Sequence, residues 1–78
     1  MTNDWIANNN ALEKTFHFKS FKDAINWMIK ASVAIEEVNH HPEWTNIYNK
    51  VFVRLTTHDS GNSITEKDTM LASILDNV

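Results

Sequence analysis

Apolar and polar residues alternate near the start of the chain. In the segment ALEKTFHFK, residues 11–19, Leu12, Phe16 and Phe18 share one parity, and Lys14 interrupts it. This period of two is typical of a half-buried β-strand. The preceding residues, DWIAN, indicate a short strand that leads in through the turn NNN, since asparagine-rich segments favour turns. The first part of the chain is therefore predicted to contain two strands.

From Ser20 the apolar residues recur at steps of three and four, which is the spacing of one face of a helix of about five turns. Ser20 is a candidate N-cap, and Asp23 lies three residues later, where free amide donors are expected. Pro42 disfavours helical geometry at His41, so the helix should end around Asn39 to His40. The residues of the main apolar face are Ala24, Trp27, Met28, Ala31, Ala34, Ile35 and Val38.

Alternation returns in residues 43–58, where Val51, Val53 and Leu55 share one parity. Tyr48 to Lys50 are expected to form the turn of a hairpin. The residues DSGNS, 59–63, have the composition of a loop. Two more strands, followed by a loop, are predicted here.

A second helix is predicted after this loop. Thr65 is its candidate N-cap, with Asp68 three residues later. Its apolar face contains Met70, Leu71, Ile74 and Leu75. The order strand, strand, helix, strand, strand, helix predicts an α+β fold of two layers, in which a four-stranded antiparallel sheet carries both helices on one face.

The size and composition of the chain exclude several classes of function. A chain of 78 residues is enough for one domain, and its net charge of -3 argues against direct binding of nucleic acid. Without cysteine it has no disulfide, thiolate metal site or cysteine nucleophile. The N-terminal residues MTNDWIANNN lack the pattern of a signal peptide, and no apolar run is long enough to span a membrane. We therefore expect a soluble, cytoplasmic protein.

Four histidines are the main candidates for chemistry: His17, His40, His41 and His58. Each alone has a structural explanation, such as an exposed strand position for His17 or a helix C-terminus for His40. Together they indicate more. Glu36 lies four residues before His40 and is predicted to orient its imidazole, while His58 ends a strand and can reach the same edge of the sheet. Imidazoles around one crevice are suited to proton transfer near neutral pH.

Two other chemistries, metal binding and nucleophilic catalysis, fit these residues less well than proton transfer does. Helical zinc ligands are usually three or four residues apart, whereas the side chains of the adjacent His40 and His41 should diverge, so a metal site is disfavoured. Thr57 and Ser60 flank His58, but no strained nucleophile turn such as GxSxG is present. The candidate site is therefore predicted to contain neither a metal nor a nucleophile.

An ordered set of residues resembles the pattern of the pterin-4a-carbinolamine dehydratases, a family whose vertebrate members also serve as dimerisation cofactors of a homeodomain transcription factor. The set consists of Glu36, His40, His41, Pro42, Tyr48, His58 and Asp68. The resemblance extends from Trp5 to the end of the chain. It implies that residues 1–78 are a single domain of this family, in a short form that lacks the N-terminal helix of many members.

The resemblance implies a reaction, in which 4a-hydroxytetrahydropterin loses water to give quinonoid dihydropterin. His40 and His58 would be the acid-base pair, in either order, and His41 would position the pterin. Substrate contacts are implied for Glu36, Asn39, Pro42, Trp44, Thr57 and Asp59, with Trp44 as an apolar wall and backbone groups of Asn39 and of residues 57–59 as hydrogen-bond partners. Asp68 belongs to the pattern, although helix capping alone would account for it. No cofactor is implied.

The long helix suggests a second hypothesis for the function, which depends on contacts between protein chains. Ile25, Ile29 and Val33 lie outside the main face of the long helix, so this helix is apolar on more than one side. The resemblance implies a homodimer or homotetramer. The alternative function is a non-catalytic module of the same fold that acts through protein contacts, with a partner that the sequence does not identify.

Overall fold

The computed structural model describes residues 4–78, and the first three residues of the predicted domain lie outside this range. The strands are β1 (Ile6–Asn8), β2 (Ala11–His17), β3 (Glu43–Ile47) and β4 (Lys50–Leu55), and the helices are α1 (Phe21–Val38) and α2 (Glu66–Asp76). The strands form one antiparallel sheet in the order β1-β2-β4-β3. The predicted α+β fold and its element order are confirmed.

Asparagine and tyrosine residues in left-handed conformation close the two hairpins. Asn9 and Asn10 join β1 to β2 with φ of 52° and 63°, and Tyr48 joins β3 to β4 with φ of 53°. A two-residue turn with positive φ matches the twist of the strands that it connects, and asparagine tolerates this conformation well. The second turn consists of Tyr48 and Asn49, because Lys50 already belongs to β4.

The ends of α1 fix the direction of the chain towards the candidate site. The Ser20 hydroxyl accepts a hydrogen bond from the Asp23 amide at 3.1 Å, which confirms the predicted N-cap. At the other end Asn39 adopts the left-handed conformation, with φ of 53°, and its amide donates to the carbonyls of Ile35 and Glu36. The helix therefore ends at the Asn39 cap, ahead of the end that Pro42 alone would impose. His40 lies beyond the helix.

The core lies between the sheet and both helices. Trp27 and Ile35 of α1 and Leu71 and Leu75 of α2 are buried there, against β4. The Trp27 ring lies 4.5 Å from the ring of Phe16, centroid to centroid. The buried residues of β4 are Val51, Val53 and Leu55, all of one parity, as the alternation predicted.

Lys14 interrupts the alternation because its ammonium group is paired inside the two-layer fold. Its Nζ donates to Asp76 Oδ1 at 2.7 Å and lies 4.7 Å from the centroid of the Phe16 ring. The indole of Trp5 also donates to Asp76. A charge among apolar side chains is tolerated when it is paired in this way.

Neither helix in residues 4–78 is long and apolar enough to cross a membrane.

Candidate active site

An open crevice of about 230 Å³ lies where α1 ends, β4 ends and α2 begins. Three of the four histidines line it. The lining residues are Asn39, His40, His41, Thr56, Thr57, His58, Asp59 and Lys67. A groove of about 550 Å³ beside the start of α1 is larger, but His17 is the one histidine in its lining. We therefore locate the site by its chemistry and not by its volume.

Asp68 of α2 holds the imidazole of His40. The distance from His40 Nε2 to Asp68 Oδ1 is 2.6 Å, and the side chains are 13% and 0% exposed, respectively. The carboxyl group also caps its helix, because Oδ2 accepts from the Thr65 amide at 2.8 Å. Capping and motif membership were alternatives for Asp68 in the sequence, and the structure shows a carboxylate that caps α2 and binds His40.

The other oxygen of Asp68 is bound by a hydroxyl as well. Thr57 Oγ1 lies 2.7 Å from Asp68 Oδ2 and 2.7 Å from Thr65 Oγ1. Burial acts to raise the pKa of Asp68, but the hydrogen bonds from His40, the Thr65 amide and Thr57, with the charge of protonated His40, together lower this pKa below its usual value. Asp68 is therefore an ionised, fully hydrogen-bonded carboxylate at neutral pH.

Glu36 contacts His41 and not His40, so the predicted orientation of His40 by Glu36 is wrong. The distance from His41 Nε2 to Glu36 Oε2 is 2.5 Å, on the exposed side of the crevice. The i, i+4 rule requires both residues to lie in the helix. Because the chain changes direction at Asn39, His40 turns towards α2 and the next imidazole reaches Glu36.

His58 begins a short 3-10 helix, His58–Ser60, directly after the buried Thr57. Its Nδ1 lies 2.7 Å from Asn62 Oδ1. Since an amide oxygen only accepts hydrogen bonds, Nδ1 carries the proton and Nε2 is left for other partners. The loop turns through Gly61 and Asn62, both in the left-handed conformation with φ of 72° and 59°, which brings the Asn62 side chain back to His58.

Among the other predicted contact residues, Asn39, Thr57 and Asp59 line the crevice, whereas Glu36, Pro42 and Trp44 are absent from its lining. Trp44 lies on β3, and its ring centroid is 6.2 Å from that of Trp27. Its role as a wall for the pterin ring stays a prediction.

The Thr57 backbone is already engaged, because its amide donates to the Ser63 carbonyl at 3.0 Å and its carbonyl accepts from the Ser60 amide at 3.2 Å. The backbone groups of Thr57 therefore already have partners within the loop.

Sequence reasoning missed Thr56, Lys67 and the hydroxyl of Thr65. Thr56 and Lys67 line the crevice, and Thr65 binds the Thr57 hydroxyl. The signal for Lys67 was its position directly before Asp68, at a helix start. Across residues 4–78, no three histidine or carboxylate side chains are arranged to hold a metal ion.

The fold and the crevice define a small α+β protein in which three imidazoles line one crevice, two of them bound by carboxylates. Residues 1–78 match the family model described as Pterin 4 alpha carbinolamine dehydratase. The chain belongs to this family, as the ordered motif predicted.

Individual relatives agree with the family match. The chain is 50% identical over 68 residues to a "Putative pterin-4-alpha-carbinolamine dehydratase" of Opitutus terrae. The aligned residues make up 87% of this chain and 70% of that protein. A protein of the same name from Prochlorococcus marinus is 46% identical over 72 residues, 92% of this chain and 75% of that protein. A transcriptional coactivator/pterin dehydratase from Brucella melitensis has a similar crystal structure, with a TM-score of 0.89 and 38% identity over 96% of this chain and 81% of that chain.

Proposed function

We propose that this protein is a 4a-hydroxytetrahydrobiopterin dehydratase, which converts 4a-hydroxytetrahydropterin to quinonoid dihydropterin and water. One observation carries the proposal: the crevice of a chain that belongs to the family gathers His40, His41 and His58, with His40 bound by the buried Asp68. These are the three imidazoles to which the motif assigned the chemistry.

The proposed reaction is a redox-neutral elimination. The C4a–O bond breaks, the N5 lone pair forms a double bond to C4a, and the N5 proton is lost. The departing hydroxyl takes up a proton and leaves as water, so the atoms balance without any cofactor. The reaction requires one acid at the leaving oxygen and one base at N5, and imidazoles supply both forms near neutral pH.

Each histidine is held in a way that suits its proposed role. His40 and His58 form the acid-base pair; one is held through Nε2 and the other through Nδ1, so each keeps one ring nitrogen for the substrate. His41, bound to the exposed Glu36, positions the pterin ring. Backbone groups of Asn39 and Asp59, which line the same crevice, are proposed to hydrogen-bond the polar edge of the pterin.

The test is the dehydration rate of synthetic 4a-hydroxytetrahydropterin with and without the protein, each with and without a chelator. We expect the protein to accelerate the reaction equally in both conditions, since only side chains transfer protons. A folded protein that leaves the rate at its uncatalysed value would contradict the proposal. Loss of the acceleration in chelator would show that a metal takes part.

A second function is supported by the exposed apolar residues of α1. Ile29 and Val33 are 60% and 62% exposed, and the similar Brucella protein is described as a transcriptional coactivator. The same domain would then act through a protein partner on α1. A folded protein without pterin turnover that forms a stoichiometric complex with another protein would favour this function over catalysis.

A further inference from the structure

Thr57 is a buried residue whose side chain faces the catalytic network and not the solvent. It is 4% exposed and follows β4 by two residues. Its amide and carbonyl are paired with Ser63 in an isolated antiparallel bridge, which fixes the backbone. The direction of the hydroxyl is therefore set by the fold.

The hydrogen bonds of this hydroxyl have a defined direction. Thr57 Oγ1 carries one proton and lies 2.7 Å from both Asp68 Oδ2 and Thr65 Oγ1. An ionised carboxylate only accepts, so Thr57 donates to Asp68 and accepts from Thr65. Thr65 Oγ1 in turn accepts from the Lys67 amide at 3.3 Å. Every donor in this series of hydrogen bonds has an acceptor, and the series ends at the Asp68 carboxylate.

The same proton count assigns the tautomer of His40. Asp68 Oδ2 is occupied by Thr57 and by the Thr65 amide, and Oδ1 lies 2.6 Å from His40 Nε2. Because Oδ1 belongs to an ionised carboxylate, Nε2 must donate. In neutral His40 the proton is therefore on Nε2, and Nδ1 is the nitrogen that can exchange a proton with a substrate.

We propose that Thr57 is a positioning residue for the dehydration, whose hydroxyl holds Asp68 so that His40 keeps its proton on Nε2 and presents Nδ1 to the pterin. This inference rests on the proposed function. Without the hydroxyl, Asp68 Oδ2 loses one of its two donors, and the carboxylate can rotate away from His40. The imidazole would then sample the other tautomer, in which Nδ1 carries the proton instead of Nε2.

The first test compares Thr57→Val, which removes the hydroxyl at nearly constant shape, with Thr57→Ser, which keeps it. We expect Thr57→Val to lower kcat about 10- to 100-fold, the effect of a lost hydrogen bond to a charged group, with little change in KM. Thr57→Ser should recover most of that loss. A folded Thr57→Val protein with the wild-type kcat, or a Thr57→Ser protein as slow as Thr57→Val, would overturn the inference.

The second test does not depend on turnover. Two-bond 1H–15N spectra, recorded at a pH high enough that the imidazole signals no longer change on further addition of base, report which ring nitrogen carries the proton. We expect a protonated Nε2 on His40 in the wild type and a tautomer mixture in Thr57→Val. Thr69→Val is the control, because this exposed threonine is next to Asp68 in α2 but lies outside the crevice lining, and its hydroxyl binds the Glu66 carbonyl at 3.1 Å.

The outcomes separate the two proposals. A wild-type protein that does not dehydrate pterin overturns the proposed function, and the role of Thr57 in that reaction with it. An active wild type with the proton of neutral His40 on Nδ1, or an unchanged tautomer in Thr57→Val, overturns the inference alone.

Discussion

At the scale of single residues, Asp68 links the folding of α2 to the chemistry of the crevice. One carboxylate oxygen caps the helix and accepts from Thr57, and the other holds His40. A buried carboxylate with all of its partners present is stable, but each partner left behind after its removal becomes an unsatisfied polar group. Substitution of Asp68 should therefore affect stability and catalysis together.

We predict that Asp68→Asn lowers the free energy of unfolding by about 1 to 3 kcal/mol, because the amide cannot accept from all three donors. Denaturant unfolding at pH 7 measures this change. Glu66→Gln is the control, since Glu66 is an exposed acidic residue in the same first turn and should cost at most about 0.5 kcal/mol. Equal losses in the two variants would contradict a special role for Asp68.

The lowered pKa of Asp68 predicts a pH dependence of this difference. A carboxyl group with a folded-state pKa below its unfolded value of about 3.9 contributes stability that is present above that value. The contribution is lost as the pH falls through the folded-state pKa. The stability difference between wild type and Asp68→Asn should therefore be fully present at neutral pH and shrink below about pH 4. A difference that grows in that acidic range would contradict the prediction.

At the scale of elements, the end of α1 decides which carboxylate meets which imidazole. Asn39 has φ of 53° and is followed directly by His40 and His41, which turn to Asp68 and Glu36 respectively. A left-handed residue at a helix end is usually glycine and sometimes asparagine. The local geometry of Asn39 therefore sets up both contacts.

We predict that Asn39→Ala destabilises the protein by about 1 to 2 kcal/mol, because a Cβ without a polar group is disfavoured at positive φ. Asn39→Gly should stay close to the wild type, since glycine adopts this conformation freely. Thermal or denaturant unfolding of both variants measures the difference. An alanine variant at least as stable as the glycine variant would refute the assigned helix end.

The elements were predictable because their signals are local. Alternation gave the strands, and Ser20 and Thr65 marked the helix starts, where both caps are present. The partners of His40 were not predictable in the same way, because they depend on how the start of α2 approaches the end of α1. The spacing of Glu36 and His40 suggested a contact that holds only inside a continuous helix.

At the scale of the whole molecule, the sequence predicted which histidines lie together. It did not predict all of the residues that line their crevice. His40, His41 and His58 come from two distant segments, and the antiparallel register of β4 with its neighbours returns the chain to the end of α1. The ordered motif predicted that these three histidines would lie close together. Lys67 and Thr56 entered the crevice without a periodic signal, since single side chains at element ends follow from tertiary packing.

We predict that the protein is a homodimer or homotetramer. Ile29 and Val33 present apolar surface on α1, and a domain of this size has little core of its own. Light scattering at micromolar concentration should give a mass of at least two chains, and Val33→Lys should lower it. A monomeric mass for the wild type would count against this assembly.

The central claim is that His40 and His58 carry out the proton transfers of a dehydratase. The most direct measurement is the dehydration rate with the double variant His40→Ala, His58→Ala, compared with His17→Ala, which removes an exposed imidazole outside the crevice. We predict that the double variant loses most of the acceleration, about 100-fold or more, while His17→Ala keeps it. Full activity in the folded double variant would contradict the account.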